Sequence, residues 1–522
     1  MKKILLFLFI FSLSVSFSQT FVQTYGGSGS ETGSCIQKTL DGNYIIAGRT
    51  NSFSSNNLDY YLVKVDPQGN YLWSKTYGGT KNEIPYFVST CNDGGFIMTG
   101  SRDTSANSKD LYLVRTDSDG NLLWSNTIGG TGDDLGWYVI QTSDGGFIST
   151  GNTTSPPATS TYDGYIVKVN SAGALQWTKM YDGTGATFLF SISNTNDGGY
   201  IVAGETSTNS FGSSDNLLIK LNSNGDTLWT KQIGKNTEES ANEAWQTNDG
   251  GYIVVGDVHI NLTVGAHHIS ILKTDSNGNL LWNRAYGSSP GSEIAYDVKP
   301  APNNGYYILG ETGFYGAGGK DFLLIKTDSD GVKTWAKTYG YTGTDDPWYL
   351  QEETDGSLLM TGGTISYGLG YFDFYLINAD TAGNASCFDS ICNPEIDFPV
   401  LQQKSGFTVL SGGTQSFPNT VVINPNTQTF NPCTLVDVGE AEKPVDPINV
   451  YPNPSSDGRF VIANIVKQSH VEVYNLWGEK IAEKTLSSKL EKLNLNEASS
   501  GIYLYKIESV NGNIATGKLI IE

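Results

Sequence analysis

Positive charge is scarce in this 522-residue chain: 32 Lys and Arg stand against 53 Asp and Glu, for a formal charge of −21 and a pI near 4.6. No basic stripe is left to neutralise phosphates, so a nucleic-acid partner is disfavoured on electrostatic grounds, and an anionic membrane surface with it. An acidic surface suits solubility outside the cell and could gather cations weakly. Cysteine is equally sparse, with Cys35, Cys91, Cys387, Cys392 and Cys433. Five are too few for a disulfide scaffold in a chain of this size. Export permits a bridge between Cys433 and either Cys387 or Cys392, leaving an odd thiol. No CxxC or HxxxH occurs, and His259, His267, His268 and His470 lie outside any ligand pattern. His267 and His268 read as an exposed loop pair. No stretch beyond the amino terminus is apolar enough to span a bilayer.

Against these absences stand 61 Gly, 29 Tyr and a hydrophobic content of 38%. That is too apolar for disorder, and it favours many turns and aromatic-rich strands over long helices. The chain reads as all-β. Its start, MKKILLFLFIFSLSVSFSQT, carries Lys2 and Lys3, an apolar run from Ile4 to about Phe17, and small Ser16 and Ser18 before a cut ahead of Gln19. This is the pattern of an export signal over residues 1–18, too short and without the flank of a spanning helix.

The glycines are periodic. DGNYIIAGRT at 41, DGGFIMTGSR at 93, DGGFISTGNT at 144, DGGYIVAGET at 197, DGGYIVVGDV at 249, NNGYYILGET at 303 and DGSLLMTGGT at 355 spell one turn and strand seven times. A Trp recurs at 73, 124, 177, 229, 282 and 335, giving a period near 52, and DYYLVK at 59 returns in variants as far as DFYLIN at 373. Each unit therefore predicts four short strands, the third and fourth joined by tight turns such as DPQGN and DSDGN. Four strands cannot hide both faces of their sheet alone, whereas seven sheets packed around an axis bury the faces between neighbours. A seven-bladed β-propeller over residues 19–387 is expected. FVQTYGG at 21 matches the end of a fourth strand, and the seventh unit lacks one, so the amino-terminal strand should complete the last blade. The DSDGN turns resemble the start of a calcium loop, but the distal Glu is missing and other copies vary. Turn chemistry is the primary reading and weak calcium binding the alternative; no other cofactor is expected.

Two sets of residues recur before each turn. Ten residues upstream lies an acid in six of seven units, at Glu31, Glu83, Asp134, Glu239, Glu293 and Asp345, with Thr187 the exception. These carboxylates either accept backbone N–H groups at the glycine corners or form a ring at a channel mouth. Seven residues upstream lie Tyr86, Trp137, Phe190, Tyr296 and Trp348, interrupted by Ser34 and Asn242. Strict alternation puts them on the same face as the aliphatics two residues on, which reads first as inter-blade packing. The alternative is a stacking platform for sugar rings formed by Tyr86, Trp137, Tyr138, Tyr296, Trp348 and Tyr349, with Trp245 a further asymmetric candidate. Adjacent acids such as Asp345 and Asp346 point to opposite faces of a strand, and no nucleophile elbow, phosphate loop or triad occurs.

The period stops near Phe388. Residues 388–446, rich in Asn, Pro, Thr and Gly, read as a linker with one hairpin at VLQQKSGFTVLSGG. Residues 447–522 alternate like the strands of a small β-sandwich. In order they carry Tyr451, Pro452, Asn453 and Pro454, then Gly458, VYNLWG ending at Gly478, LNL at 493, SGIY with Gly501 and Tyr503, and Gly517 with Lys518 before a hydrophobic last strand. This succession resembles the type A C-terminal sorting domain of type IX secretion cargo. The resemblance implies passage across the outer membrane by that machinery, to the cell surface or the medium. The expected function is a binding or adhesion module for glycan or a surface protein; the alternative is a polysaccharide hydrolase or lyase.

Overall fold

The computed structural model describes residues 20–521 outside the segments 55–56, 105–107, 156–161, 260–265, 289–290, 369–370, 387–388, 393, 398–400, 405–407, 411–413, 417–420, 424–427, 431–448, 452–454, 456–458, 464–468, 476–478, 487–489, 496–497 and 509–513. The export signal, Cys387 and Cys433 lie outside the described residues, and Cys392 carries a free thiol. The chain divides into two units, residues 1–433 and 434–522.

The first unit consists of seven five-stranded antiparallel sheets, one for each sequence repeat. The first strands of the sheets are Glu31–Lys38, Glu83–Thr90, Asp134–Gln141, Thr187–Asn194, Glu239–Gln246, Glu293–Ala301 and Asp345–Glu352. Each of them contacts the first strand of the next sheet, and Asp345–Glu352 contacts Glu31–Lys38, so the succession returns to its start. The missing fourth strand of the seventh sheet is Phe21–Gly26, which pairs antiparallel with Asp373–Ala379 from Phe21 opposite Asn378 to Tyr25 opposite Phe374.

The repeated motifs carry out repeated tasks. In five sheets the Lys or Arg closing the third strand reaches back to the Asp of the glycine turn: Lys64 to Asp41 at 2.7 Å, Arg115 to Asp93 at 2.6 Å, Lys168 to Asp144 at 3.0 Å, Lys220 to Asp197 at 3.0 Å and Lys273 to Asp249 at 2.9 Å. The Tyr of the fourth strand donates its hydroxyl across the sheet boundary to a turn carbonyl. Tyr25 bonds Gly69 O at 2.5 Å, Tyr77 bonds Gly120 O at 2.6 Å, and Tyr339 bonds Gly383 O at 2.6 Å. The same turn needs glycine for a second reason: at Gly120 φ is +73°, and an added Cβ would meet the Trp73 ring of the preceding sheet at 2.8 Å. In the DSDGN-type turns, Asp117 Oδ1 accepts Asp119 N at 3.0 Å and Asn121 N at 2.7 Å, so this carboxylate serves its own turn.

The fifth strands correct the sequence reading of residues 388–446. Between Asp389 and Phe430 seven three-residue strands pair with the fourth strands of the sheets in reverse order: Asp389–Ile391 on the sixth, Glu395–Asp397 on the fifth, Gln402–Lys404 on the fourth, Thr408–Leu410 on the third, Thr414–Ser416 on the second, Val421–Ile423 on the first, and Gln428–Phe430 on the seventh. The segment is a belt rather than a connector. The two strands expected to form a hairpin near residue 400 belong to different sheets. Their partner is an open sheet edge, which offers unpaired N–H and C=O groups to any extended chain.

The second unit packs a three-stranded sheet (Asn449–Tyr451, Arg459–Ala463, Leu490–Asn494) and a four-stranded sheet (Ser469–Tyr474, Lys480–Leu486, Gly501–Glu508, Ile514–Ile521) around a core that includes Phe460, Ile462, Val471, Val473, Leu493 and Leu519. Tyr503 is buried, Gly501 opens its strand and Lys518 is exposed. Tyr451 and Gly517 lie on strands, while Pro452, Asn453, Pro454, Gly458 and Gly478 fall outside the described residues. Among the described residues no helix is long and apolar enough to cross a membrane.

Candidate functional site

Every first strand contains the same irregularity. Its register against the second strand slips between Gly33 and Cys35, Pro85 and Phe87, Gly136 and Tyr138, Leu189 and Ser191, Ala241 and Glu243, Ala295 and Asp297, and Pro347 and Tyr349. The residue left unpaired by each bulge is Ser34, Tyr86, Trp137, Phe190, Asn242, Tyr296 or Trp348, the position seven residues before the turn. A bulge interrupts the two-residue alternation and re-aims the side chain. This corrects the expectation that these residues share a face with the aliphatics two positions on. Ile36, Val88, Val139 and Leu350 are fully buried, whereas all seven bulge residues line one cavity of about 370 Å³.

Sequence order fixes the shape of this cavity. Tyr86, Trp137 and Phe190, from three successive sheets, form one wall, with ring centroids 4.2 Å and 5.9 Å apart. Tyr296 and Trp348 form the second wall at 5.0 Å. Ser34 occupies one gap between the walls and Asn242 the other, so the cavity is a slot. Hydrogen bonds hold the walls: Trp137 Nε1 donates to Asn152 Oδ1 at 2.6 Å, and the Tyr296 hydroxyl donates to Glu311 Oε2 at 3.0 Å, with Glu311 itself paired to Lys320 at 2.8 Å. In four strands the next residue, Phe87, Tyr138, Glu243 or Tyr349, also lines the cavity. Phe87 stacks on Tyr138 at 3.5 Å and meets Tyr349 edge-on at 5.5 Å. Tyr138 and Tyr349 are nearly buried, and Trp348 is 40% exposed.

Beside Tyr349 lies a buried charge cluster that the sequence did not announce. Lys299 Nζ bonds Asp297 Oδ1 at 2.6 Å and sits 4.3 Å from the Tyr349 ring centroid and 4.6 Å from that of Trp245. Asp297 Oδ2 accepts Leu350 N at 2.8 Å. Trp245 is thus partner to the buried lysine and does not line the cavity. Glu243 does line it; the residue is 3% exposed, its Oε1 has no hydrogen-bond partner, and burial holds its carboxyl well above the usual carboxylate range. The only sequence signal for Glu243 and Asp297 was a charge at a position where the other repeats carry Cys35, Phe87, Tyr138, Ser191 and Tyr349, and for Lys299 a charge where the other repeats carry uncharged residues.

The six acids ten residues before the turn are not at the slot. Glu31, Glu83, Asp134, Glu239, Glu293 and Asp345 are all fully buried and none lines the cavity. They bind the glycine corners, as Glu31 Oε2 accepts Gly27 N at 2.8 Å, Asp134 Oδ2 accepts Gly130 N at 2.9 Å, Glu239 Oε2 accepts Lys235 N at 2.8 Å, and Asp345 Oδ2 accepts Tyr341 N at 3.0 Å. Glu83 pairs with Arg102 at 2.7 Å. Several also face the Asp that opens the third strand of the preceding sheet. A Cβ on Gly129 would meet Asp110 Oδ1 and Asp134 Oδ2 at 2.6 Å each, which is why that corner is glycine.

Burial raises the carboxyls of Asp59, Asp110 and Asp321 to about 6 and those of Glu83 and Glu293 to about 7. Their folded forms hold protons more tightly than the unfolded chain, whose carboxyls titrate near about 4. The stabilisation is therefore complete below about pH 4 and is lost as pH rises through about 6 to 7. The turn aspartates oppose this at the acid end, since hydrogen bonds from Thr142 and then Gly146 and Lys168 hold Asp144 down at about 2, and bonds from Thr195 and Lys220, working against burial, do the same for Asp197. Thermal melts are expected to show a midpoint roughly 5–10 °C higher at pH 5 than at pH 8. A midpoint that rises across that interval would contradict the assignment.

The histidines also differ from expectation. His267 begins a strand, its Nδ1 lies 2.7 Å from Asp257 Oδ2, and its Nε2 lies 2.6 Å from His259 Nε2; His268 is buried.

Residues 449–522 match the family described as the secretion system C-terminal sorting domain, and residues 59–311 match the family described as outer membrane protein assembly factor BamB. An ulvan lyase of Nonlabens ulvanivorans is 23% identical over 206 residues, which cover 37% of this chain and 38% of that protein; the chain thus spans well under half the length of this curated relative. Among solved structures, PorZ, a surface component of the type IX secretion system of Porphyromonas gingivalis, aligns at 12% identity over 92% of this chain and 58% of that one, with a TM-score of 0.32. An α-L-arabinofuranosidase of Fusarium graminearum aligns at 10% identity over 70% of this chain and 98% of that one, with a TM-score of 0.38.

Proposed function

We propose that this type IX secretion cargo, exported to the cell surface or the extracellular space by its C-terminal sorting domain, is a closed seven-bladed β-propeller that binds a carbohydrate in the aromatic slot on its axis. One observation carries the reading: the bulge residues of all seven repeats line a single cavity, five of them aromatic. Residues from seven separate sheets meet in one place when the sheets surround it. Two aromatic walls separated by polar gaps suit a pyranose ring, whose apolar faces stack on indole and phenol while its hydroxyls reach the gaps. The volume falls within the usual range for small-ligand sites, about 300–1,000 Å³.

Trp348 tests this directly, because its ring is the most exposed in the slot. Trp348→Ala is expected to weaken oligosaccharide binding at least about tenfold, or about 1.4 kcal/mol, while the melting temperature stays within about 2 °C of the parent. Titration calorimetry beside a thermal melt checks both. Unchanged affinity would refute the slot as the binding site, and a lowered melting temperature would make the ring part of the core.

A second reading is cleavage of the bound polysaccharide. It is favoured by Glu243, a carboxyl at the slot whose burial shifts it toward the protonated form that a general acid needs, and by the lyase activity named for the ulvan-degrading relative. New reducing ends or a new unsaturated-uronate absorbance, both abolished by Glu243→Gln, would favour cleavage over retention.

A further inference from the structure

We propose that the slot selects sugars bearing an anionic substituent, and that Arg49 is the residue that reads it. The inference rests on the carbohydrate-binding reading above and names the chemical class of the ligand.

Arg49 lies in the second strand of the first sheet, opposite Thr32, and lines the slot at the gap left by Ser34. Corresponding positions in the other sheets carry Ser101, Asn152, Glu205, Asp257, Glu311 and Gly363, so a cation occurs here once in seven. Several other cations on this unit have carboxylate partners. Arg102 is held by Glu83, Arg115 by Asp93, and Lys320 by Glu311. Arg49, half-buried among aromatic residues, has no ion pair or hydrogen bond to any described residue. Arg102 and Arg115, by contrast, each face a carboxylate. Asp346 feels the Arg49 charge only weakly and that of Lys320 more strongly.

A guanidinium offers a planar fork of donors that fits a carboxylate or a sulfate ester in two parallel bonds. At the end of an aromatic slot it is placed to take such a group projecting from a ring stacked between Trp137 and Trp348. At the opposite gap, Asn242 and Glu243 are left for hydroxyls. Uronic acids and sulfated sugars share the chemistry that this site recognises.

The full chain is titrated calorimetrically with three tetrasaccharides: an oligogalacturonate, a sulfated galactan fragment and an uncharged cello-oligosaccharide. At least one anionic ligand is expected to bind about tenfold more tightly than the uncharged one, with affinity falling as salt is raised. Arg49→Gln should reduce that ligand to the affinity of the uncharged one, and Arg49→Lys should restore part of the preference. The carboxylate and sulfate arms identify which group is read. Equal binding of all three ligands, or a preference that survives Arg49→Gln, overturns the role of Arg49 while leaving carbohydrate binding intact if Trp348→Ala still abolishes it. Failure of all three ligands to bind overturns both readings.

Discussion

A chain that begins at Ser28 is expected to lose its cooperative unfolding transition, or to melt at least about 15 °C below the parent. Phe21–Gly26 is the fourth strand of the seventh sheet, and Phe21, Val22 and Tyr25 are at most 6% exposed. Burying three such side chains contributes about 4.5–9 kcal/mol at roughly 1.5–3 kcal/mol each, against a total stability of about 5–15 kcal/mol for a folded domain. The loss does not stop there. Phe21 packs on Gly69 of the first sheet, where other sheets place a Trp, and the Tyr25 hydroxyl bonds Gly69 O at 2.5 Å. The last belt strand, Gln428–Phe430, also loses its partner. Circular dichroism melts of the two chains provide the measurement, and coincident curves would show that the seven sheets do not depend on this strand.

Deletion of residues 389–430 is expected to make the chain self-associate. All seven fourth strands would then present free edges, and long exposed edges recruit strands from other molecules. The apolar core within each sheet is unaffected, so secondary structure should persist while sedimentation shows oligomers and hydrogen exchange quickens in the fourth strands. A single Val422→Pro substitution is the milder form, because it removes one N–H from the belt and should quicken exchange around Tyr77 alone. A deleted chain that remained monomeric, with protected fourth strands, would show the belt to be dispensable.

Much of this architecture was legible because the chain states it seven times. The glycine turn, the D-x-Y-L-V-K strand and the Trp strand each recur, and the unmatched FVQTYGG at one end answers the missing strand at the other. The position of the aromatics seven residues before the turn was legible too. Their direction was not, because a bulge changes facing without changing composition: Tyr86 and Val88 look co-facial by alternation and are parted by a slip between Pro85 and Phe87. The belt was hidden for a different reason. A three-residue strand such as Gln402–Lys404 has no alternation to detect, and its partner is an edge that exists only after the sheets have formed. The repeated acids were misplaced toward the mouth in one of two readings, since a sequence shows that Glu31 recurs but not that Gly27, Thr50 and Ser52 already bond its carboxylate.

The pairing of Phe21–Gly26 with Asp373–Ala379 on one side and Gln428–Phe430 on the other sets a timetable. This amino-terminal strand has to wait, unpaired, for partners that lie some 350 and 400 residues later in the chain. Contacts of such sequence separation carry a large loop-closure cost and fold slowly. Completion of the seventh sheet is therefore a late event in folding of the first unit, and until then the apolar side chains of Phe21, Val22 and Tyr25 are open to any chaperone that meets the chain.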